Sequence, residues 1–416
     1  MYIKKIIILI FLIGFLVNTA VADDKNKNSY QQTNFVANKS GYKSDIIEKN
    51  FINAWGIAIR PKGAGGHFWV TAKDISFEYL GDVINSPNPK LRNLHVDDLK
   101  HISLPVGGED KFATGVVFSD SKDAFVITQT IIGAEPVTAP AKFLFASDGG
   151  IISAWTERKH PDGSFDRAGE AVTVIDDSKE GSQFFGLAIN HNYTRLYAAD
   201  FGKQPAIKVF DGKFKQEAIT FENPFDDNKN GKVDAGEYAP FNVQALTTPT
   251  GEHHIFVTYA KTLVCNEEGI AKDDCKQGEL YAGEEDTAKA GQGKLAEFTE
   301  EGKLIKVWND AGKLSAPWGI VYSPANFGKL SNMLLVGNFG DGSIAAFDST
   351  THKFKDVIRD TKGKPIKIEK IWGLLFGNGE SLGDANALYF AAGPNDEKDG
   401  IFGSIRVSTN NKETKK

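Results

Sequence analysis

APWGIVYSPANFGKLSNMLLVGNFGDGSIAAFD, residues 316–348, holds three short apolar runs, Trp318 to Tyr322, Met333 to Val336 and Ser343 to Phe347. Clusters of Pro, Asn, Gly and Asp separate them, so each run is bounded by turn formers and is too short for a helix. Asp341-Gly342 is a tight-turn pair joining the second run to the third. The unit reads as an antiparallel meander, and its recurrence would make the chain an array of small sheets.

The unit does recur. Phe51 to Ile59, with Trp55-Gly56 at its centre, Thr114 to Phe118, Phe185 to Ile189 and Trp372 to Phe376 repeat its opening run, and Pro240 to Leu246 repeats it with Asn242 where Gly is expected. Second runs follow at Phe68–Thr71, Phe125–Thr128, Leu196–Asp200, Ile255–Thr258, Leu334–Asn338 and Leu388–Ala391. Third runs lie at Phe77–Leu80, Lys142–Ala146, Ile207–Phe210, Lys294–Phe298, Ile344–Phe347 and Ser404–Val407, and the best fourth runs are Ile151–Trp155 and Lys303–Val307. Units of about four strands at spacings of roughly 50 to 80 residues predict an all-β fold, a six-bladed β-propeller of four-stranded antiparallel blades. The last copy runs out of chain near Val407 while Asn34 to Val36 is unassigned at the other end. The N-terminal strand is therefore expected to complete the last blade, leaving no open sheet edge.

The remaining segments divide as follows. Residues 1–22 read as a signal peptide: Lys4 and Lys5, the apolar run Ile6 to Val17, then Ala20-Val21-Ala22 as a small-x-small cleavage site. An uncleaved N-terminal anchor is the competing reading. Residues 23–32 form a polar linker, 33–408 the propeller and 409–416 a polar tail, and no segment after the signal approaches transmembrane length. An exported, periplasmic or extracellular protein follows. A net charge of -6, with 41% hydrophobic and 25% charged residues, argues against a nucleic-acid partner, which needs a basic face. The chain has 2 cysteines, Cys265 and Cys275, within a polar insertion; export favours a disulfide between them over two free thiols.

Asp226-Asp227-Asn228-Lys229-Asn230-Gly231-Lys232-Val233-Asp234-Ala235-Gly236-Glu237 fits the EF-hand loop pattern. Asp226, Asn228 and Asn230 offer side-chain oxygens at alternate positions, Asp234 and Glu237 add theirs further on, Lys232 offers its carbonyl, and Gly231 permits the sharp turn that lets them converge on calcium. Pro224 and Pro240 leave little room for flanking helices, so the expectation is an EF-hand-like structural calcium loop inserted at 226–237, the alternative being a polar turn. In a propeller the loops before each innermost strand and after each second strand meet at one mouth. Those loops carry Asn53, Asp200, Asn338, Asp341 and Glu397 as candidate ligand-contacting residues, with Trp55, Trp318 and Trp372 beside them. The alternative is that the aromatics wedge the blades and the Asn and Asp residues fix turns. Gly379-Glu380-Ser381-Leu382-Gly383 satisfies GxSxG but lies between two strands, where a nucleophile elbow needs strand then helix, and it reads as a turn.

The segments NAWGIAI, AADF (Ala198 to Phe201), APFNVQ (Ala239 to Gln244), APWGIVYSPANFG, LLVGNFGDGSIAAFD, IWGLLFGN and AAGPNDEKDGIFG, in this order, resemble the blocks of a family of uncharacterised exported bacterial proteins. The resemblance spans residues 34–407 and implies a six-bladed propeller akin to NHL-repeat proteins; it brings no activity with it. The calcium loop departs from that family, whose corresponding block runs more directly into APFN. Two functions remain open. One is a binding scaffold taking an unknown small molecule or protein at the mouth. The other is a lactonase- or esterase-like hydrolase with Asp200, Asn338 and Glu397 around a divalent metal, an analogy at the level of fold alone.

Overall fold

The computed structural model describes residues 27–265, 275–287 and 289–408. The expected signal peptide and tail lie outside these residues, as does the start of the linker. Six small sheets form a ring. Blade 1 is Ala54–Ala58, Phe68–Ala72, Ile75–Leu80 and His95–Ser103; blade 2 is Ala113–Phe118, Phe143–Ser147, Ile151–Trp155 and Val172–Asp176. Blade 3 has Phe184–Ile189, Arg195–Asp200 and Ala206–Asp211. Blade 4 has Tyr238–Thr247, His253–Val264, Gly293–Phe298 and Leu304–Val307, and blade 5 has Pro317–Tyr322, Met333–Asn338, Ile344–Asp348 and Phe354–Val357. Blade 6 pairs Ile371–Phe376, Leu388–Ala392 and Ile401–Val407 with the N-terminal strand Tyr30–Ala37, and Ile46–Ile47 adds a short parallel edge.

The first strand of each blade is the innermost, and each packs against the next around the ring, the sixth against the first. These strands approach so closely that a side chain would collide with backbone. A Cβ on Gly373 would lie 2.6 Å from the Trp55 carbonyl oxygen, one on Gly115 would lie 2.6 Å from the Leu187 amide nitrogen, and Gly56 and Gly319 are tighter still, while one on Gly186 would meet the Asn242 side chain at 2.1 Å. Asn242 occupies the equivalent place in blade 4 and donates from Nδ2 to the Trp318 carbonyl at 2.7 Å, so a hydrogen bond replaces the bare contact. Six apolar clusters fill the seams between neighbouring blades. A seventh lies on the axis.

Three expectations need correction. The run Phe125–Thr128 is not the second strand of blade 2: Val126–Gln129 pairs with Val137–Pro140 in a separate hairpin, and Phe143–Ser147 pairs directly with the innermost strand. Its alternating pattern is that of a strand, but alternation does not name the partner. Blade 3 has three strands rather than four. The closing strand begins at Tyr30, within the expected linker, because Tyr30 is buried and its hydroxyl donates to the Phe327 carbonyl at 2.7 Å and accepts from the Leu330 amide at 3.1 Å.

Gly373→Ala should lower stability by about 1–3 kcal/mol or more, as overpacking against backbone does. Gly41→Ala, where no atom lies within 4 Å of the added Cβ, should stay within about 0.5 kcal/mol. Deleting residues up to Lys39 strips the closing strand from blade 6 and should cost far more than either; equal melting temperatures for the truncated and full chains would show that the closure contributes nothing.

Candidate functional site in the acidic mouth

In five of the six innermost strands the residue before the close-contact position is aromatic: Trp55, Phe185, Phe241, Trp318 and Trp372. Strand geometry turns it along the axis, where these rings meet Phe201 and Phe339. Trp55 and Trp372 stack with centroids 3.7 Å apart, and Trp318 meets both edge-on at 6.4 and 6.0 Å. Trp318 Nε1 donates to the Phe185 carbonyl at 3.0 Å, tying blade 5 to blade 3 across the axis. The rings therefore seal the channel at this end.

A cleft of about 820 Å³ opens above the plug. Trp55, Phe112, Phe185 and Trp372, with Tyr281 from the arm, contribute its aromatic surface. One wall is an arm from blade 4. The strand His253–Val264 runs past the blade and pairs with Leu280–Glu285, whose Gly283 amide reaches across to the Phe201 carbonyl at 2.9 Å. Cys265 and Cys275 are disulfide-bonded past the far end of this strand pair, beyond Val264 and Leu280, with Cα atoms 6.3 Å apart. The wall presents Glu284 and Glu285; opposite them stand Asn53 and Glu397 from blades 1 and 6, and Asp148, Asp110 and Lys111 from blades 1 and 2.

These carboxyl groups are tuned by their surroundings. Burial pushes Glu285 up to about 8, with the Glu397 charge adding to the shift and Lys370 opposing it. Burial likewise raises Glu397 to about 7, against the pull of Lys370 and of its hydrogen bond with Asn53. Asp148 rises to about 6, again through burial, although Lys111 and the Phe112 amide favour its charged form. Asn53 connects floor to wall. Its Oδ1 accepts from Trp372 Nε1 at 2.8 Å, and because an indole N–H can only donate, its Nδ2 is left to donate to Glu397 Oε1, also at 2.8 Å. Trp55, 3% exposed and part of the cleft lining, has an Nε1–H with no partner.

Of the five residues expected at the mouth, the structure brings Asn53 and Glu397 together in the cleft and places three elsewhere. Asp200 accepts from the Gln183 and Gly202 amides at 2.9 and 2.8 Å and pairs with Lys208 at 3.4 Å. Asn338 accepts from the Ser315 amide and donates to the Lys313 carbonyl and Ser343 Oγ, each at 3.0 Å. Asp341 caps the turn through the Ser343 amide at 3.0 Å and its hydroxyl at 2.6 Å. All three hold loops, and neither Asp200 nor Asn338 lines the cleft beside Glu397. Among the described residues no group of three or more His, Cys, Asp or Glu side chains is arranged to hold a metal ion. Glu285, Asp148 and Lys111 are additional cleft residues; the Glu284-Glu285 pair is visible in sequence but falls in a polar insertion that no repeat places at the mouth.

The loop 226–237 lies against this arm. Val233 packs on the aromatic plug, and Thr262, paired with Glu285 in the arm, accepts at Oγ1 from the Gly236 amide at 2.9 Å and donates its own amide to the Glu237 carbonyl at 2.9 Å. Within the loop, Asn228 and Asn230 each donate from Nδ2 to Asp234 Oδ2, at 2.7 and 2.8 Å, and Asp226 receives the Lys229 and Gly231 amides at 2.6 and 2.8 Å. Gly231 has φ +76, the left-handed turn its position demands. A second, smaller cleft of about 370 Å³ occupies the opposite end of the axis, lined by the distal ends of the innermost strands and by His191 and His253.

Six sheets closed head to tail around a plugged axis define a six-bladed β-propeller. No family model matches the chain. It is similar to uncharacterised proteins of Acanthamoeba polyphaga mimivirus: one is 25% identical over 376 residues, 89% of this chain and 79% of that protein. A second is 25% identical over 381 residues, 90% of this chain and 85% of its own. Among solved structures, the chain is similar to a structural-genomics protein of unknown function from Bacteroides thetaiotaomicron, with a TM-score of 0.47, 10% identity and coverage of 91% and 76% of the two chains.

The raised carboxyl groups fix the sign of a pH effect. In the unfolded chain Glu ionises near 4.5, whereas folded Glu397 and Glu285 keep their protons to about 7 and 8. Between those values the native state binds more protons, so stability falls as pH rises and levels off above the folded values. The melting temperature should decline from about pH 5 to about pH 8, and the Glu285→Gln/Glu397→Gln variant should show a flatter profile over that window; an unchanged slope would show that neither group carries the effect.

Proposed function

We propose that this protein is an exported propeller that binds a small ligand in the acidic mouth, and that the blade 4 arm forming one wall is braced by the Cys265–Cys275 disulfide and by calcium in the loop 226–237. The observation that carries the reading is the cleft itself: a volume of about 820 Å³ over a rigid aromatic floor, with convergent carboxyl, carboxamide and ammonium groups on its walls. That is the size and chemistry of a small-molecule site. Export is supported by the signal-like residues 1–22 and by a disulfide, which persists in oxidising compartments. Kinship with exported bacterial propellers belongs to the same reading. No helix among the described residues is long and apolar enough to cross a membrane.

Calcium acts structurally here. Asp226, Asn228, Asn230, Asp234 and Glu237 supply side-chain oxygens and Lys232 its carbonyl, and the bound ion would fix the loop against Thr262 and so the strand carrying Glu285. The hydrolase alternative built on Asp200, Asn338 and Glu397 draws no support from the positions of Asp200 and Asn338.

Two measurements test these statements. A library of small compounds of mixed charge, screened by crystallographic soaking, should give hits in the mouth cleft that are lost in Ala282→Trp, which fills it from the arm; hits elsewhere, or hits indifferent to Ala282→Trp, would remove the site. Calcium at about 100 times its dissociation constant should stabilise the protein by about 2.7 kcal/mol, raising the melting temperature by a few degrees. Glu237→Gln should abolish most of that shift, and a wild-type protein that calcium neither heats in a calorimeter nor stabilises has no such site.

A further inference from the structure

We propose that the ligand of the mouth cleft is an organic cation, an ammonium group borne on a body that lies across the aromatic floor. The proposal rests on the mouth being a ligand site and specifies what it takes. The first ground is the balance of charge. The lining carries six carboxyl groups, Asp110, Asp148, Glu279, Glu284, Glu285 and Glu397, against the two ammonium groups of Lys111 and Lys203. Lys370 adds a third cation just outside, acting on both Glu285 and Glu397. An anionic ligand would enter against this excess, in a recess where screening by water is reduced.

The second ground is the floor. Trp55 and Trp372, stacked on each other and 3% and 1% exposed, give the cleft a flat, rigid apolar base, and half-buried Phe112 beside them is the lining ring left open to a cation. The plug already receives one cation in this manner: Lys370 Nζ lies 3.9 Å from the Phe339 ring centroid, and Phe339 packs on Trp372 at 4.1 Å. The third ground is independent of charge. Trp55 is 3% exposed, yet its Nε1–H has no partner. A buried donor without an acceptor destabilises the fold, whereas Trp372 and Trp318, in the same plug, both have theirs. An acceptor atom on a bound molecule would complete Trp55, so the ligand is expected to carry an oxygen beside its ammonium group. Burial holds Glu285 and Glu397 toward their neutral forms despite Lys370, and an arriving ammonium would add to the Lys370 charge in favouring their ionised forms.

The test uses three probes of matched shape, phenethylamine, 2-phenylethanol and 3-phenylpropanoate, titrated into the full mature chain with calcium present, at low salt and near neutral pH. The amine should bind at least about tenfold more tightly than the alcohol or the acid, a difference of about 1.4 kcal/mol. Glu285→Gln/Glu397→Gln should remove that advantage while leaving the alcohol unaffected. Glu284→Lys, at an exposed position on the same wall, should do so in part and serves if the double variant does not fold. Equal or tighter binding of the alcohol or acid, an amine affinity indifferent to these substitutions, or no amine binding overturns the proposal. If the alcohol or acid binds and Ala282→Trp abolishes that binding, the mouth remains a ligand site and only its charge preference is wrong; if no binding responds to Ala282→Trp, both readings fall.

Discussion

The ring depends on how near one innermost strand can come to the next. Backbone lies on backbone at these seams, and a single Cβ is already too much at Gly115 and Gly373, where it would meet its neighbour at 2.6 Å. The pairing register shifts at or beside this position in all six blades, so the innermost strand bulges where it turns its edge toward the next blade. Blade 4 bulges likewise but adds a side chain to the seam: Asn242 reaches forward to the Trp318 carbonyl, and the missing Cβ of Gly186 makes room for it from behind. The two residues are therefore one device, and changing either alters the seam of the other.

From that close approach follows the sealed axis. With the strands drawn in, the large side chains one residue earlier have nowhere to go but the axis, and five rings fill it. Blade 2 has Thr114 in place of an aromatic, its hydroxyl donating to the Phe184 carbonyl of blade 3 at 2.6 Å. Phe112, two residues earlier, packs against the plug instead, and its amide is held by Asp148 Oδ1 at 2.6 Å. The cleft is lined on this side by these residues and their neighbours. A repeat that is strict in its packing residue and lax in its aromatic one thus gives a ring with a polar, asymmetric mouth.

This division explains what could be read from the sequence. The Trp-Gly pairs and the apolar runs after them are local signals, so the number of blades, the closing strand and the all-β class were legible. Partner choice was not. Phe125–Thr128 alternates as a strand should, but a hairpin inserted after it captures its edge. At the mouth, Asn53 and Glu397 were legible because each lies next to a repeat landmark. Asp200, Asn338 and Asp341 stand at equivalent landmarks, but Asp200 and Asp341 fold back on the amides two residues on, as Asx turns do, and Asn338 ties down the loop at Lys313 and Ser315. Glu285 was hidden because its arm belongs to no repeat; only the extension of His253–Val264 beyond the blade carries it over the mouth.

The backbone around Glu397 argues that its position is held against a local cost. Asn395, Asp396 and Glu397 have successive φ values of 59, 55 and 61, a left-handed turn closed by the Glu397 amide donating to the Gly393 carbonyl at 2.9 Å. Asn and Asp tolerate this region; Glu has no such excuse, and each L-residue there loses roughly 1–2 kcal/mol. Asn53, its partner, is also left-handed at φ 47. A strained Glu and a left-handed Asn meet through one hydrogen bond to present a carboxyl group to the cleft, where burial then opposes its charge. Folding alone would be better served by a relaxed turn with a solvated side chain. The turn is instead kept in register by the Glu369 carboxylate on the Asn395 amide at 3.0 Å and by Gly393, whose lack of a Cβ admits the Asn53 side chain. Such over-determined strain is characteristic of sites that act on something else. Left-handed residues occur elsewhere in the chain, but three in succession end at the carboxyl group linked, through Asn53 and Trp372, to the aromatic floor.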